Sequence, residues 1–164
     1  MIPVTSCLII YLALFLVGLT ADLILTTINI RHLKRHGHAV PEAFTGYIDE
    51  ERLSLITNYT VDSERFDILT TCIGSLGFLV VILYGWLPAF QGWLAGFRTG
   101  VILSGIAFFA AIAAAQALFS APFNYYQTFG IEQRYGFNTS SLKTWLTDRV
   151  KAACLGALIG GLLL

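Results

Sequence analysis

Four long apolar runs divide this sequence and leave few folds open to it. A run of about twenty apolar residues wound as a helix spans the hydrocarbon core of a bilayer, about 30 Å thick. The first run covers about Cys7–Ile30, the second Ile68–Leu87 and the third Thr99–Phe119. The fourth starts near Val150 and continues unbroken from Ala152 to Leu164. Its thirteen apolar residues reach roughly 20 Å at 1.5 Å each, short of a full crossing. The expectation is therefore one all-α transmembrane domain over residues 1–164, a polytopic bundle of about four spans with the last truncated. Composition agrees: 56% of residues are hydrophobic and 12% charged, with mean hydropathy +0.72, where a soluble domain carries about 25% charge.

The first run is too long for the core of a signal peptide, and no basic residue precedes it, so a retained helix is expected. Trp86 closes the second run and Trp93 precedes the third, each where an amphipathic ring favours the headgroup level. Pro122 is expected to stop the third, because its ring disfavours helix in the preceding residue. Arg31, Lys34, Arg35, Arg52 and Arg65 occupy the connection 31–65, and Arg134, Lys143, Arg149 and Lys151 lie around the connection 120–149. Arg98 alone falls on the other side, a bias of nine to one. The positive-inside rule then makes both long connections cytoplasmic and puts the amino terminus in the periplasm or lumen. Short loops and the lack of a retention signal favour a bacterial inner membrane over the endoplasmic reticulum.

A zero formal net charge argues against a nucleic-acid footprint. Cys7, Cys72 and Cys154 sit in apolar runs without metal-type spacing and read as small hydrophobes. His32 and His36 are spaced to share one helix face, as in zinc peptidases, but Leu33 stands where such a motif needs its glutamate. With Arg31, Lys34 and Arg35 around them, the segment reads as a juxtamembrane anchor for anionic headgroups. Asp22 is the acidic side chain well inside a span, with Thr26 and Asn29 one and two turns along the same side. Asp22 and Asn29 are thus a candidate intramembrane polar site, with Asp22 either part of a polar chamber wall or proton site, or a structural hydrogen-bonding residue between helices. Gln116 reads as interhelical glue. Gly100, Ser104, Ala107, Ala111 and Ala115, and then Ala152, Gly156 and Gly160, form small-residue faces for close helix packing.

In the first connection Pro41 reads as a turn and Asp49–Thr57 as a short amphipathic helix. Asp62 or Ser63 is expected to cap the second span, with Glu64 in its first turn. The second connection is rich in aromatics and ends on Gly136-Phe137-Asn138, after which Thr139 or Ser140 can cap a helix into the fourth span. No serine, histidine and acid form a catalytic set, and no glycine-rich phosphate loop occurs. The chain carries no catalytic and no metal-ligating residue by this reading.

Several of these segments match a known pattern. Val40-Pro41, the set Tyr59, Asp62 and Phe66, and the set Pro122, Phe123, Tyr126, Phe129, Ile131, Glu132, Gly136, Phe137 and Asn138 are its elements. The chain on these grounds resembles the amino-terminal membrane domain of the CAAX prenyl protease family, integral-membrane zinc metallopeptidases. The resemblance implies a cage of helices around an aqueous chamber, with zinc held by a His-Glu-x-x-His motif in a later domain. That motif is absent here, so no cofactor is expected in this chain and zinc only with a missing carboxy-terminal metallopeptidase domain. The expected partners are the lipid bilayer and that domain, or a protein supplying it, with the aromatic connection docking against it. The alternative is a non-catalytic membrane scaffold that keeps the cage helices; a small transporter or channel subunit rests only on Asp22.

Overall fold

The computed structural model describes residues 5–37, 39, 49–97 and 100–163. The Val40-Pro41 turn, His38, Arg98 and Thr99 fall outside that set. The described residues are all helical apart from turns, in the order α1 (Ser6–His36), α2 (Glu50–Leu83), α3 (Trp86–Ala95), α4 (Val101–Tyr126), a π-helical segment (Gln127–Glu132) and α5 (Leu142–Leu163). Three helical stretches are long and apolar enough to cross a membrane: Ser6–His36, Glu50–Leu83 and Val101–Glu132. Apolar side chains stay outside: among the described residues only Ile30, Val61 and Ile131 form a buried apolar core, while Leu14, Val17, Leu25, Leu76 and Leu118 are each two-thirds exposed or more. Such a surface is stable against acyl chains and not against water.

α1 and α2 pack antiparallel and close on each other at their polar ends. Thr5 caps α1 by accepting from the Leu8 amide, and Gly37 ends it. The Thr57 hydroxyl donates to the Gly37 carbonyl at 2.5 Å. A Cβ on Gly37 would lie 2.6 Å from the Leu33 carbonyl and 2.7 Å from the Thr57 methyl, so glycine is required here for proximity and not for its dihedral angles. Further along, Phe15 meets Phe78 with ring centroids 5.6 Å apart.

The structure departs from the sequence reading in four places. α2 is continuous from Glu50, so Asp62 and Ser63 lie mid-helix and cap nothing. No proline or glycine interrupts the sequence between Asp49 and Gly74, and Glu50 and Glu51 already supply the acidic first turn. The Trp86–Ala95 connection is itself a helix, α3, entered through Gly85 at φ 71, and its Phe90 stacks on Phe108 of α4 at 5.7 Å. Pro122 does not stop α4, which runs through it to Tyr126. Membrane helices tolerate proline where neighbouring groups reorganise around it; here Asn124 Nδ2 donates to the Ser120 carbonyl at 2.9 Å, and Phe123 and Tyr126 pack on Phe66. The cap of α5 is Ser141, one residue beyond the expected pair: its Oγ accepts from the Thr144 amide at 3.2 Å.

Candidate functional site

The aromatic connection is folded against the middle of α2. Tyr59, Asp62 and Phe66 recur at steps of three and four, which aligns them on one face of that helix. Phe66 receives Tyr126 at 4.9 Å and Phe123 at 6.4 Å between ring centroids. Tyr59 receives Phe137 edge-on at 4.9 Å and Tyr135 at 5.8 Å. On the other side Phe129 and Tyr125 pack against Trp145 of α5, over which the Arg149 guanidinium lies 5.2 Å from the ring centroid. The connection therefore ties α2, α4 and α5 together through aromatic edges, each pair adding about 0.5–1.5 kcal/mol beyond burial.

Polar contacts centre on Asp62. The Tyr135 hydroxyl donates to Asp62 Oδ2 at 2.6 Å. Arg134 Nη1 stands 3.5 Å from the same oxygen, and Arg65 Nη1 3.8 Å from Oδ1. The bond to the carboxylate holds the Tyr135 phenol above its ordinary pKa, helped by burial and the Asp62 charge and opposed by Arg134. One turn on, Gln127 Nε2 donates to Ser63 Oγ at 2.6 Å. A cleft of about 360 Å³ opens beside this pair, between Glu64, Asp67 and Thr70 on α2 and Phe123 and Asn124 on α4.

The backbone of the connection explains its residue types. After Tyr126 the hydrogen bonding widens to the π pattern over six residues, Gln127–Glu132. Gly130 passes so close to the Tyr126 ring that a Cβ would meet it at 3.0 Å. Ile131 is 3% exposed, the most buried apolar residue described. The Glu132 carbonyl then accepts from the Phe137 amide at 2.9 Å and the Asn138 amide at 3.3 Å, a closing turn that needs Gly136 at φ 75. Asn138 Oδ1 accepts from the Ser140 amide at 2.7 Å. The Glu132 carboxylate itself has no partner among the described residues.

Of the residues singled out by sequence, Pro122, Phe123, Tyr126, Phe129, Ile131, Glu132, Gly136, Phe137 and Asn138 come together in this one assembly. Asp22 and Asn29 do not join it; both lie exposed on α1 without a hydrogen bond or ion pair among the described residues. Sequence reading missed Tyr135, whose bond to Asp62 at 2.6 Å links the connection to α2. The signal was available: the Tyr59–Asp62–Phe66 spacing is a helix face, and a carboxylate on such a face needs a donor from elsewhere. Among the described residues no group of three or more His, Cys, Asp or Glu is placed to hold a metal ion.

Comparison with known proteins covers nearly the whole chain. Residues 29–164 match the N-terminal domain of CAAX prenyl proteases, described as five membrane helices. The chain is 26% identical over 128 residues to a CAAX prenyl protease 1 homolog of Arabidopsis thaliana, and 27% over 152 residues to one of Taenia solium. It is 24% identical over 132 residues to CAAX prenyl protease 1 of Saccharomyces cerevisiae. These matches take in 74%, 82% and 74% of the chain but 30%, 32% and 29% of the relatives, so the chain spans under a third of their length. The crystal structure of S. mikatae Ste24p shares the fold, with a TM-score of 0.84 at 23% identity, covering 98% of this chain and 38% of that one.

Proposed function

The chain belongs to the CAAX prenyl protease family through its N-terminal membrane domain, and from that premise we propose that it forms part of a helical cage that holds substrate for a zinc metalloendopeptidase. By this reading it is not catalytic alone. The observation that carries the proposal is the Glu132 carboxylate, which has no partner among the described residues although aromatic contacts bind the segment to α2 and α5. The aromatic rings of the connection are spent on α2 and α5, while Glu132 remains to meet a donor on another domain. Docking by this reading runs through Glu132 and the half-exposed edge of Phe137.

The connection lies on the cytoplasmic side and the amino terminus on the opposite one, following the positive-inside bias. By the family reading zinc belongs with a carboxy-terminal domain bearing His-Glu-x-x-His. The chain's own contribution is to position: it holds the connection rigidly and lines part of the enclosure.

The test joins this chain to a metallopeptidase domain bearing His-Glu-x-x-His and follows cleavage of a prenylated peptide. Glu132→Ala is expected to lower turnover at least tenfold while membrane insertion and helix content stay at wild-type levels. Undiminished turnover in Glu132→Ala would remove the docking role. The chain alone is expected to leave the peptide intact; chelator-sensitive cleavage by it would overturn the non-catalytic reading.

A further inference from the structure

The cationic end of α1 is the part of the molecule that the proposed function leaves unused. Three ion pairs occur among the described residues, and they engage Arg65, Arg134 and Lys151, while Arg149 is held over Trp145. Arg31, Lys34 and Arg35 enter none of them and have no other partner among the described residues. The acids at the start of α2, Asp49, Glu50 and Glu51, do not reach them either.

Their placement on the helix is specific. Positions 17, 24, 28, 31 and 35 are separated by steps of seven, four, three and four, so they form a single stripe along α1. Val17 is 68% exposed, Ile24 53% and Ile28 54%, and Arg31 and Arg35 are exposed as well. The side facing α2 is a different one, marked by Phe15, Ile30, Leu33 and Gly37. Lys34 flanks the stripe on one edge and His32 on the other, with the His32 and His36 rings stacked at 4.6 Å. From Ile28 to Arg35 the stripe rises about 10 Å, passing from bare apolar surface to two guanidinium groups.

We infer that this stripe binds an anionic phospholipid, its acyl chain along Val17, Ile24 and Ile28 and its phosphate between Arg31 and Arg35. A single molecule with an apolar tail and an anionic head matches the sequence of surfaces along one helix side. Guanidinium groups suit a phosphate because they offer paired donors in one plane. Zwitterionic lipid fits the apolar part equally well but neutralises the phosphate with its own ammonium, so the stripe discriminates by headgroup charge. The inference requires only that α1 spans a membrane and does not use the peptidase reading.

Spin-labelled phosphatidylserine and phosphatidylcholine in vesicles of the purified protein measure the relative association of each lipid with the protein surface. At low salt the wild-type ratio is expected to favour phosphatidylserine at least fivefold, the effect of about one basic residue near the surface. The double substitution Arg31→Gln with Arg35→Gln is expected to bring the ratio within twofold of unity. Lys151→Gln, which removes a cation already paired with Asp148, is expected to leave it within twofold of wild type. A wild-type ratio near unity overturns the site, and so does an equal loss in Lys151→Gln, which would show diffuse surface charge. Retained selectivity in the double variant overturns it too, by placing the preference elsewhere. Should the double variant fail to insert, the wild type decides by salt: a ratio unchanged on raising ionic strength to 1 M, where screening is nearly complete, excludes a charge-based site.

Discussion

Asp62 accepts one hydrogen bond, from Tyr135, and pairs at longer range with Arg134 and Arg65, so its loss removes all three contacts at once. The two arginine contacts are long and partly exposed and contribute little; the short phenol bond dominates. Tyr135→Phe is expected to destabilise the protein in detergent by about 1–2 kcal/mol, and Asp62→Asn by a similar amount, with the double variant no worse than either single one. Additive losses in denaturant titrations would show that the bond is not the coupling. The raised Tyr135 pKa fixes the pH dependence. The folded protein holds this proton more tightly than the unfolded chain, so the contribution is complete below the ordinary phenol value of about 10. It is lost as pH climbs through the higher folded value. A titration that follows the Tyr135 ring by its own NMR resonance should find it ionising at lower pH in Asp62→Asn than in wild type. At Gly37 the effect is steric: Gly37→Ala sets a methyl within 2.7 Å of Thr57 and is expected to cost about 1–3 kcal/mol. Thr57→Ser on the same background should recover part of it by removing the methyl contact.

At the scale of elements, legibility followed the strength of the local signal. Apolar length found α1 and the cores of α2 and α4, because a bilayer imposes it on every crossing helix. The amphipathic reading of Asp49–Thr57 marked where α2 begins, but not that it runs unbroken into the span; only the absence of proline and glycine from Glu50 to Phe66 signalled that continuity. Pro122 misled for the converse reason. A proline ends a helix in water, yet aromatic packing on Phe66 and side-chain bonding by Asn124 carry α4 past it. The short α3 was invisible because tryptophans at a membrane surface read the same in a loop and in a helix. Of the motif residues, the sequence identified nine that assemble, but not Tyr135, whose role depends on a contact 73 positions away. The cap of α5 gives a direct check: Ser141→Ala is expected to cost about 0.5–2 kcal/mol, whereas Thr139→Ala should fall within about 0.5 kcal/mol of wild type. Equal effects in thermal melts would return the cap to its expected position.

For the whole molecule, sidedness is the property on which the proposed role depends. The bias of Lys and Arg predicts that the α1–α2 and α4–α5 connections share one compartment and that the α2–α4 connection faces the other. Single cysteines placed in a cysteine-free background at Arg52, Lys143 and Gln91 test this with a membrane-impermeant thiol reagent. In sealed vesicles of native orientation the first two are expected to react alike and the third oppositely. Labelling of Gln91→Cys together with Lys143→Cys from one side would refute the arrangement and, with it, a cytoplasmic docking segment. The exposed apolar surface of α4 and α5 is suited to contact with acyl chains or with further membrane helices.

The widened turn between Tyr126 and Gln133 has a bearing on how this segment can change. Each α-helical residue advances the chain by about 100° around its axis, and a π turn absorbs one more residue than an α turn over the same length. Deleting any single position from Gln127 to Glu132 would let the backbone relax to ordinary helix with hardly any shortening. Because the π stretch of six residues turns through nearly the angle of one fewer α residue, everything downstream would keep its direction and Tyr135 and Phe137 would still face α2. A single-residue deletion in this stretch should therefore be tolerated better than one within α4, where nothing absorbs the lost turn of about 100°.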